Sequence, residues 1–159
     1  NIDEIIAVED EELIVNFLDI LENHKMLVEN SGLLTVAALK HLDCKGKRVV
    51  SILSGGNMDI ITLSSVVQHG LIARGRVFTV AVQLPDRPGE LVNVADIIAK
   101  EKGNVIRLEH NQFVSINRNA AVELRITLEA FGQEHKNEIL KALRDKGYDA
   151  KEETPTGMY

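Results

Sequence analysis

Residues 77–91 place a β-branched run, a dense turn and an amphipathic helix in direct succession, and this restricts the fold more than any other stretch. Val77, Phe78, Val80, Val82 and Leu84 suit a strand. Pro85-Asp86-Arg87-Pro88-Gly89 is a compact turn signal. Glu90 then opens a helix with Leu91, Val94, Ala95, Ile98 and Ala99 on one face, closed by Gly103. Val105 to Val114 is a second strand pattern, with Ile106 and Leu108 on one face. After a turn at Asn117-Arg118-Asn119, Ala120, Val122, Leu124, Ile126 and Leu128 alternate with Ala121, Glu123, Arg125 and Thr127. That alternation is a strand buried on one face. Glu134 to Lys146 is helical, with Ile139, Leu140 and Leu143 inward, and Gly147 ends it. Tyr148 to Ala150 makes a last edge strand, and Thr154 to Tyr159 a loose tail.

The order β-α-β-β-α-β predicts a ferredoxin-like sheet with helices on one face. Its other face or an edge is left for a partner to bury. The Pro-Gly turn and the head of the following helix free backbone N–H groups for an anion such as a carboxylate. Asp86 or a neighbouring side chain would meet an ammonium. A structural turn with no ligand remains the alternative.

The first half is less regular. Asp3 to Val8 reads as a short strand. Glu9-Asp10-Glu11-Glu12 precedes Leu13, Ile14, Phe17, Leu18 and Leu21 at helical spacing. The acidic run therefore marks a helix N-terminus rather than a metal site. Met26 to Glu29 reads as a strand, broken by Asn30-Ser31-Gly32, with Ser31 capping a helix that carries Leu34, Ala37, Ala38 and Leu39. Val49, Val50, Ile52 and Leu53 form a second β-branched run that stops at Ser54-Gly55-Gly56. Asn57, with Asp59 after it, caps a helix from Met58 to Leu71. Strand, helix, strand and helix predict an α/β pattern with an incomplete parallel sheet. Arg74-Gly75-Arg76 reads as a hinge-like linker, which divides the chain into residues 1–73 and 74–159.

Composition narrows the class. The chain has 159 residues, 45% hydrophobic and 26% charged, with formal net charge −6. With no basic tract, nucleic-acid binding is not expected. No run reaches membrane-span length, and the acidic start is unlike a signal peptide, so a cytoplasmic protein is expected. Cys44 is the single cysteine, which excludes an intramolecular disulfide and a thiolate metal site. His110 and His135 have no spacing that sets a metal geometry. Asn1 rather than Met at the start suggests that the chain begins inside a longer one, with tag removal or a processed terminus as the alternatives.

Two resemblances follow from these motifs. Leu53-Ser54-Gly55-Gly56-Asn57, preceded by Leu27-Val28-Glu29 and a Ser/Gly turn, resembles the end of the catalytic domain of threonine dehydratases (threonine ammonia-lyases). These are fold-type II pyridoxal-phosphate enzymes. The resemblance implies that Ser54 and Gly55 meet the cofactor, with the Ser54 hydroxyl on its pyridine nitrogen and Glu29 near its ring. A neutral hydroxyl there leaves the nitrogen largely unprotonated, and elimination of a β-hydroxyl tolerates that weaker electron sink. Where the family commonly shows Glu-Gly-Ala-Gly-Ala, this chain has Glu29-Asn30-Ser31-Gly32-Leu33. The family's cofactor-bearing lysine segment and its Gly-rich phosphate loop have no counterpart here, so the chain alone is expected to be inactive and without cofactor. Residues 76–152, with Pro85-Asp86-Arg87-Pro88-Gly89-Glu90-Leu91, resemble an ACT domain. That implies pairing of such domains, and an amino-acid effector such as isoleucine or valine held by Asp86, Arg87, Pro88, Gly89, Glu90 and Leu91. The expected whole is the C-terminal regulatory region of a threonine ammonia-lyase, which makes 2-oxobutanoate and ammonia. A serine dehydratase, and a non-enzymatic amino-acid-sensing module, are the alternatives.

Overall fold

The computed structural model describes residues 4–111 and 122–153. Contacts divide the chain into two compact units, Asn1–Ala73 and Arg74–Tyr159. The readings at Asp3, Gln112 to Ala121 and Thr154 to Tyr159 lie outside the described residues.

The first unit is helical: α1 (Asp10–His24), α2 (Asn30–Ala37), a 3-10 turn over Ala38–His41, and α3 (Ile60–Ala73). The acidic run does head α1. Glu9 and Glu12 form a reciprocal capping box, with the Glu9 amide donating to Glu12 Oε2 at 3.2 Å. The core gathers Leu13, Phe17, Leu18, Ile20, Val28, Leu33 and Ala37 from α1, α2 and the approach to α2. Leu63, Val66 and Val67 of α3 pack against it. Gly70 lets α3 come close to α1, because a Cβ there would crowd the Leu18 side chain.

The expected strands of this half are not formed. Among the described residues of the unit there is none, at residues 4–8, at 26–29 or at 49–53. The physical reason is the lack of a ladder: an extended run becomes a strand only when a neighbour takes its N–H and C=O groups. Here 49–59 runs beside α2 without regular structure and makes isolated bonds. The Glu29 amide donates to the Gly55 carbonyl at 3.2 Å, Thr35 Oγ1 to the Ile52 carbonyl at 3.1 Å, and Ser51 Oγ to the Thr35 carbonyl at 3.3 Å. Val50 and Ile52 stay 83% and 74% exposed. Two caps also differ from expectation. Glu29, not Ser31, is the residue before α2. Asp59, not Asn57, heads α3, its carboxylate accepting from the amides of Ile61 and Thr62 at 3.0 Å each.

The second unit contains β1 (Val77–Leu84), α4 (Glu90–Lys100), β2 (Asn104–Asn111), β3 (Val122–Glu129), α5 (Gln133–Asp145) and β4 (Asp149–Glu153). The sheet is antiparallel in the order β2-β3-β1-β4, with Val80 opposite Ile126 and Gln83 opposite Asp149. This is the βαββαβ ferredoxin-like fold. Phe78, Val80, Val82 and Leu84 of β1 join Leu124, Ile126 and Leu128 of β3 beneath Val94, Ile98, Ile139, Leu140 and Leu143 of the helices. The strict alternation along β3 survives as alternating burial, because one face meets helices and the other does not. β2 forms one edge and is largely exposed, with Val105, Ile106 and Leu108 all open. Gly75 and Arg76 of the expected linker pack within the second unit. Gly75 is buried with φ +65 against Gln133, and the Arg76 carbonyl accepts from the Ala130 amide at 2.8 Å.

Candidate functional sites

Two clusters of chemistry-bearing residues emerge, one in each unit. In the first, the turn after Val28 brings Glu29 onto the Ser54-Gly55 segment. Gly55 has φ +78, and the Glu29 side chain fills the space that a Cβ would need. Only glycine combines that backbone with that contact. Ser31 Oγ donates to Glu29 Oε1 at 2.6 Å and fixes the carboxylate. Gly32, inside α2, faces the Ser54 carbonyl so closely that a Cβ would overlap it. Thus Glu29, Ser54 and Gly55 are assembled at one place, with the Ser54 residue exposed and Glu29 half-buried. The sequence signal missed here is Gly32, which reads as a turn residue and is instead the point of closest backbone approach.

In the second unit, β1 delivers Leu84 into the Pro85–Gly89 turn and α4 starts at once. A cleft of about 310 Å³ opens there, between the turn with Glu90 and Leu91 on one side and His110 and Val122 on the other. Gly89 has φ +96 and open space around it. Not all loop amides are free. The Arg87 amide donates to the Pro85 carbonyl at 2.9 Å, and the Glu90 amide reaches the Arg87 carbonyl at 3.4 Å. The amides of Leu91 and Val92, in the first turn of α4, have no helix carbonyl to meet and form the positive pole of the helix. Asp86, Arg87 and Pro88 are exposed around that pole. The Glu90 carboxylate is held from the far edge of the sheet, where Tyr148 Oη donates to Glu90 Oε2 at 3.0 Å.

Burial, reinforced by the hydrogen bond and charge of Glu90, raises the Tyr148 phenol above its ordinary range. A phenol raised in the folded state contributes stability that is whole below the ordinary tyrosine pKa of about 10 and is lost as pH rises through the folded value. The urea midpoint should therefore fall more steeply above pH 10 in the unsubstituted chain than in Tyr148→Phe. Equal slopes would show that the Tyr148 phenol is not held up by its burial and by Glu90.

His110 lies at the end of β2 beside the cleft, whereas His135 is committed to structure. His135 Nδ1 accepts from the Phe131 amide at 3.0 Å, so Nε2 carries the proton and donates to the Glu101 carbonyl. No group of three or more metal-ligating side chains occurs among the described residues. No helix among them is long and apolar enough to cross a membrane.

No protein-family model matches the chain. Among curated relatives, an L-threonine ammonia-lyase of Geobacter sulfurreducens is 39% identical over 150 residues, which are 92% of this chain and 37% of that protein. One from Thermotoga maritima is 34% identical over 151 residues, 94% of this chain and 38% of that protein. A biosynthetic L-threonine dehydratase of Pasteurella multocida is 31% identical across 93% of this chain and 28% of its own length. Among solved structures, the ACT domain of prephenate dehydrogenase from Bacillus anthracis is 22% identical with TM-score 0.36, covering 46% of this chain and 99% of that one. The chain is homologous to the C-terminal region of the L-threonine ammonia-lyases and dehydratases and spans little more than a third, 37%, of the Geobacter relative.

Proposed function

We propose that residues 1–73 are the end of a pyridoxal-phosphate catalytic domain and residues 74–159 an ACT regulatory domain of a threonine ammonia-lyase. The polypeptide as a whole would convert threonine to 2-oxobutanoate and ammonia. The observation that carries this reading is the meeting of Glu29, Ser54 and Gly55 in a chain that follows threonine ammonia-lyases along 92% of its length.

The residues present fit one wall of a cofactor site. The Ser54 hydroxyl would donate to the pyridine nitrogen and so leave it without a proton of its own. Gly55, lacking a Cβ, admits the Glu29 carboxylate, held by Ser31, next to Ser54, where it would lie near the ring. When bound, pyridoxal phosphate supplies the electron sink for losing the β-hydroxyl of threonine. The lysine and phosphate loop that complete such a site would come from elsewhere in the polypeptide, so this chain alone would neither hold the cofactor nor catalyse. The run Val49–Leu53, which forms no ladder and leaves Val50 and Ile52 exposed, is consistent with a strand that finds its ladder there. In the second unit, the cleft at Pro85–Leu91 would take an amino acid, isoleucine or valine, with its carboxylate on the head of α4. The open β2 edge, with Val105, Ile106 and Leu108, would pair with another such domain, making the protein an oligomer.

Ser54→Ala in the intact polypeptide should lower threonine turnover about 10- to 100-fold while folding is retained. That factor corresponds to one lost hydrogen bond of about 1.5–3 kcal/mol to a group whose charge state matters. Steady-state kinetics and circular dichroism would check it, and unchanged turnover would remove Ser54 from the cofactor site.

A further inference from the structure

Tyr148 sits between α5 and β4, where Gly147 (φ +89) ends the helix and the Tyr148 amide returns to the Leu143 carbonyl at 3.2 Å. Its ring packs against the core of the second unit. Its hydroxyl donates to Glu90 Oε2 and also meets the Asn93 side chain, one turn along α4. The following residue, Asp149, pairs with Gln83 near the end of β1. Two adjacent residues thus grip both ends of one loop. Asp149 holds the strand that enters the turn, and Tyr148 holds the first helical residue that leaves it. The Leu84–Gly89 loop is closed into a ring whose clasp is Tyr148-Asp149. A hydroxyl bound to a carboxylate is a charge-assisted contact, stronger than a neutral one. It also keeps the Glu90 charge drawn toward Tyr148, so that it does not swing freely beside the amide pole of α4.

We propose that Tyr148 is a positioning residue for this loop: it sets the head of α4 for an amino-acid ligand. The proposal rests on the reading that the loop binds an amino acid. A loop already held in shape loses less freedom when a ligand arrives, so the hydroxyl should favour binding.

The chain has two tyrosines and no tryptophan, so in a Tyr159→Phe background Tyr148 is its only tyrosine emitter. A hydroxyl bound to a carboxylate is quenched, which makes the clasp directly visible. Isoleucine and valine would be titrated into the 159-residue chain with calorimetry and tyrosine emission read together. Heat and emission should saturate together, and Tyr148→Phe, which keeps the ring, should weaken binding about tenfold. Glu90→Gln, which keeps an acceptor, should retain most of the affinity. Glu90→Ala should lose as much as Tyr148→Phe, and the two together should lose no more than either alone. Binding with constant emission, and wild-type affinity in Tyr148→Phe, would overturn the proposal and leave the loop reading standing. Absence of heat with both amino acids in the unsubstituted chain would overturn the loop reading, and the proposal with it.

Discussion

Gly32→Ala should destabilise the first unit by about 2–3 kcal/mol, although alanine is the better helix former. Two effects compete at this position. Within α2, alanine gains about 1 kcal/mol over glycine from propensity. Against that, its Cβ would overlap the Ser54 carbonyl and crowd Val28 Cγ1. The obstacle is chiefly backbone, which cannot rotate away as a long side chain does, so the steric cost wins. Gly46→Ala provides the control. Gly46 has φ +73 with nothing within 4 Å of the added Cβ. It should lose only the cost of a left-handed backbone, about 1–2 kcal/mol. Urea unfolding followed by helical circular dichroism separates the two. In the intact polypeptide, Gly32→Ala should also lower cofactor affinity, because the displaced residue is the one proposed to meet the pyridine ring. Wild-type or greater stability of Gly32→Ala would mean that the Ser54 segment does not rest on α2.

Gly89→Asp should weaken effector binding about 100-fold or more. Its carboxylate would stand where the ligand's own is proposed to lie. Two like charges about 4 Å apart at an effective dielectric near 20 repel by about 4 kcal/mol, more than enough for that factor. Gly89→Ala separates charge from backbone. It meets the same φ of +96 with nothing in its way, and should lose stability of about 1–2 kcal/mol with a much smaller loss of affinity. Calorimetric titration with isoleucine and valine distinguishes the two variants. Equal affinity in Gly89→Asp and the unsubstituted chain would place the ligand elsewhere.

The second unit was largely legible in the sequence, because each of its elements announces itself locally. β3 alternates, the face of α5 is clean, and glycines stand where helices stop; of the face read for α4, Val94 and Ile98 are buried, whereas Leu91, Ala95 and Ala99 are exposed. The first unit was legible only in its helices. Val49–Leu53 has the residues of a strand, but residue type cannot supply a partner, and pairing is what makes a strand. Ser31 looked like the better cap, yet its hydroxyl turns back to Glu29. The Glu29 carboxylate so held lies against Gly55, which is 26 residues further along and is invisible to local pattern. The clasp between Tyr148 and Glu90 spans 58 residues. Sequence marks one as a strand start and the other as a helix start, and only the antiparallel return of β4 beside β1 sets them together.

The most direct measurement is threonine turnover by the intact polypeptide that carries this chain, with isoleucine and valine titrated in. The expected result is 2-oxobutanoate and ammonia formed at a rate that changes saturably with one of these amino acids, a response that Gly89→Asp loses. Absence of threonine turnover, or turnover in the unsubstituted protein that ignores both amino acids, would contradict it.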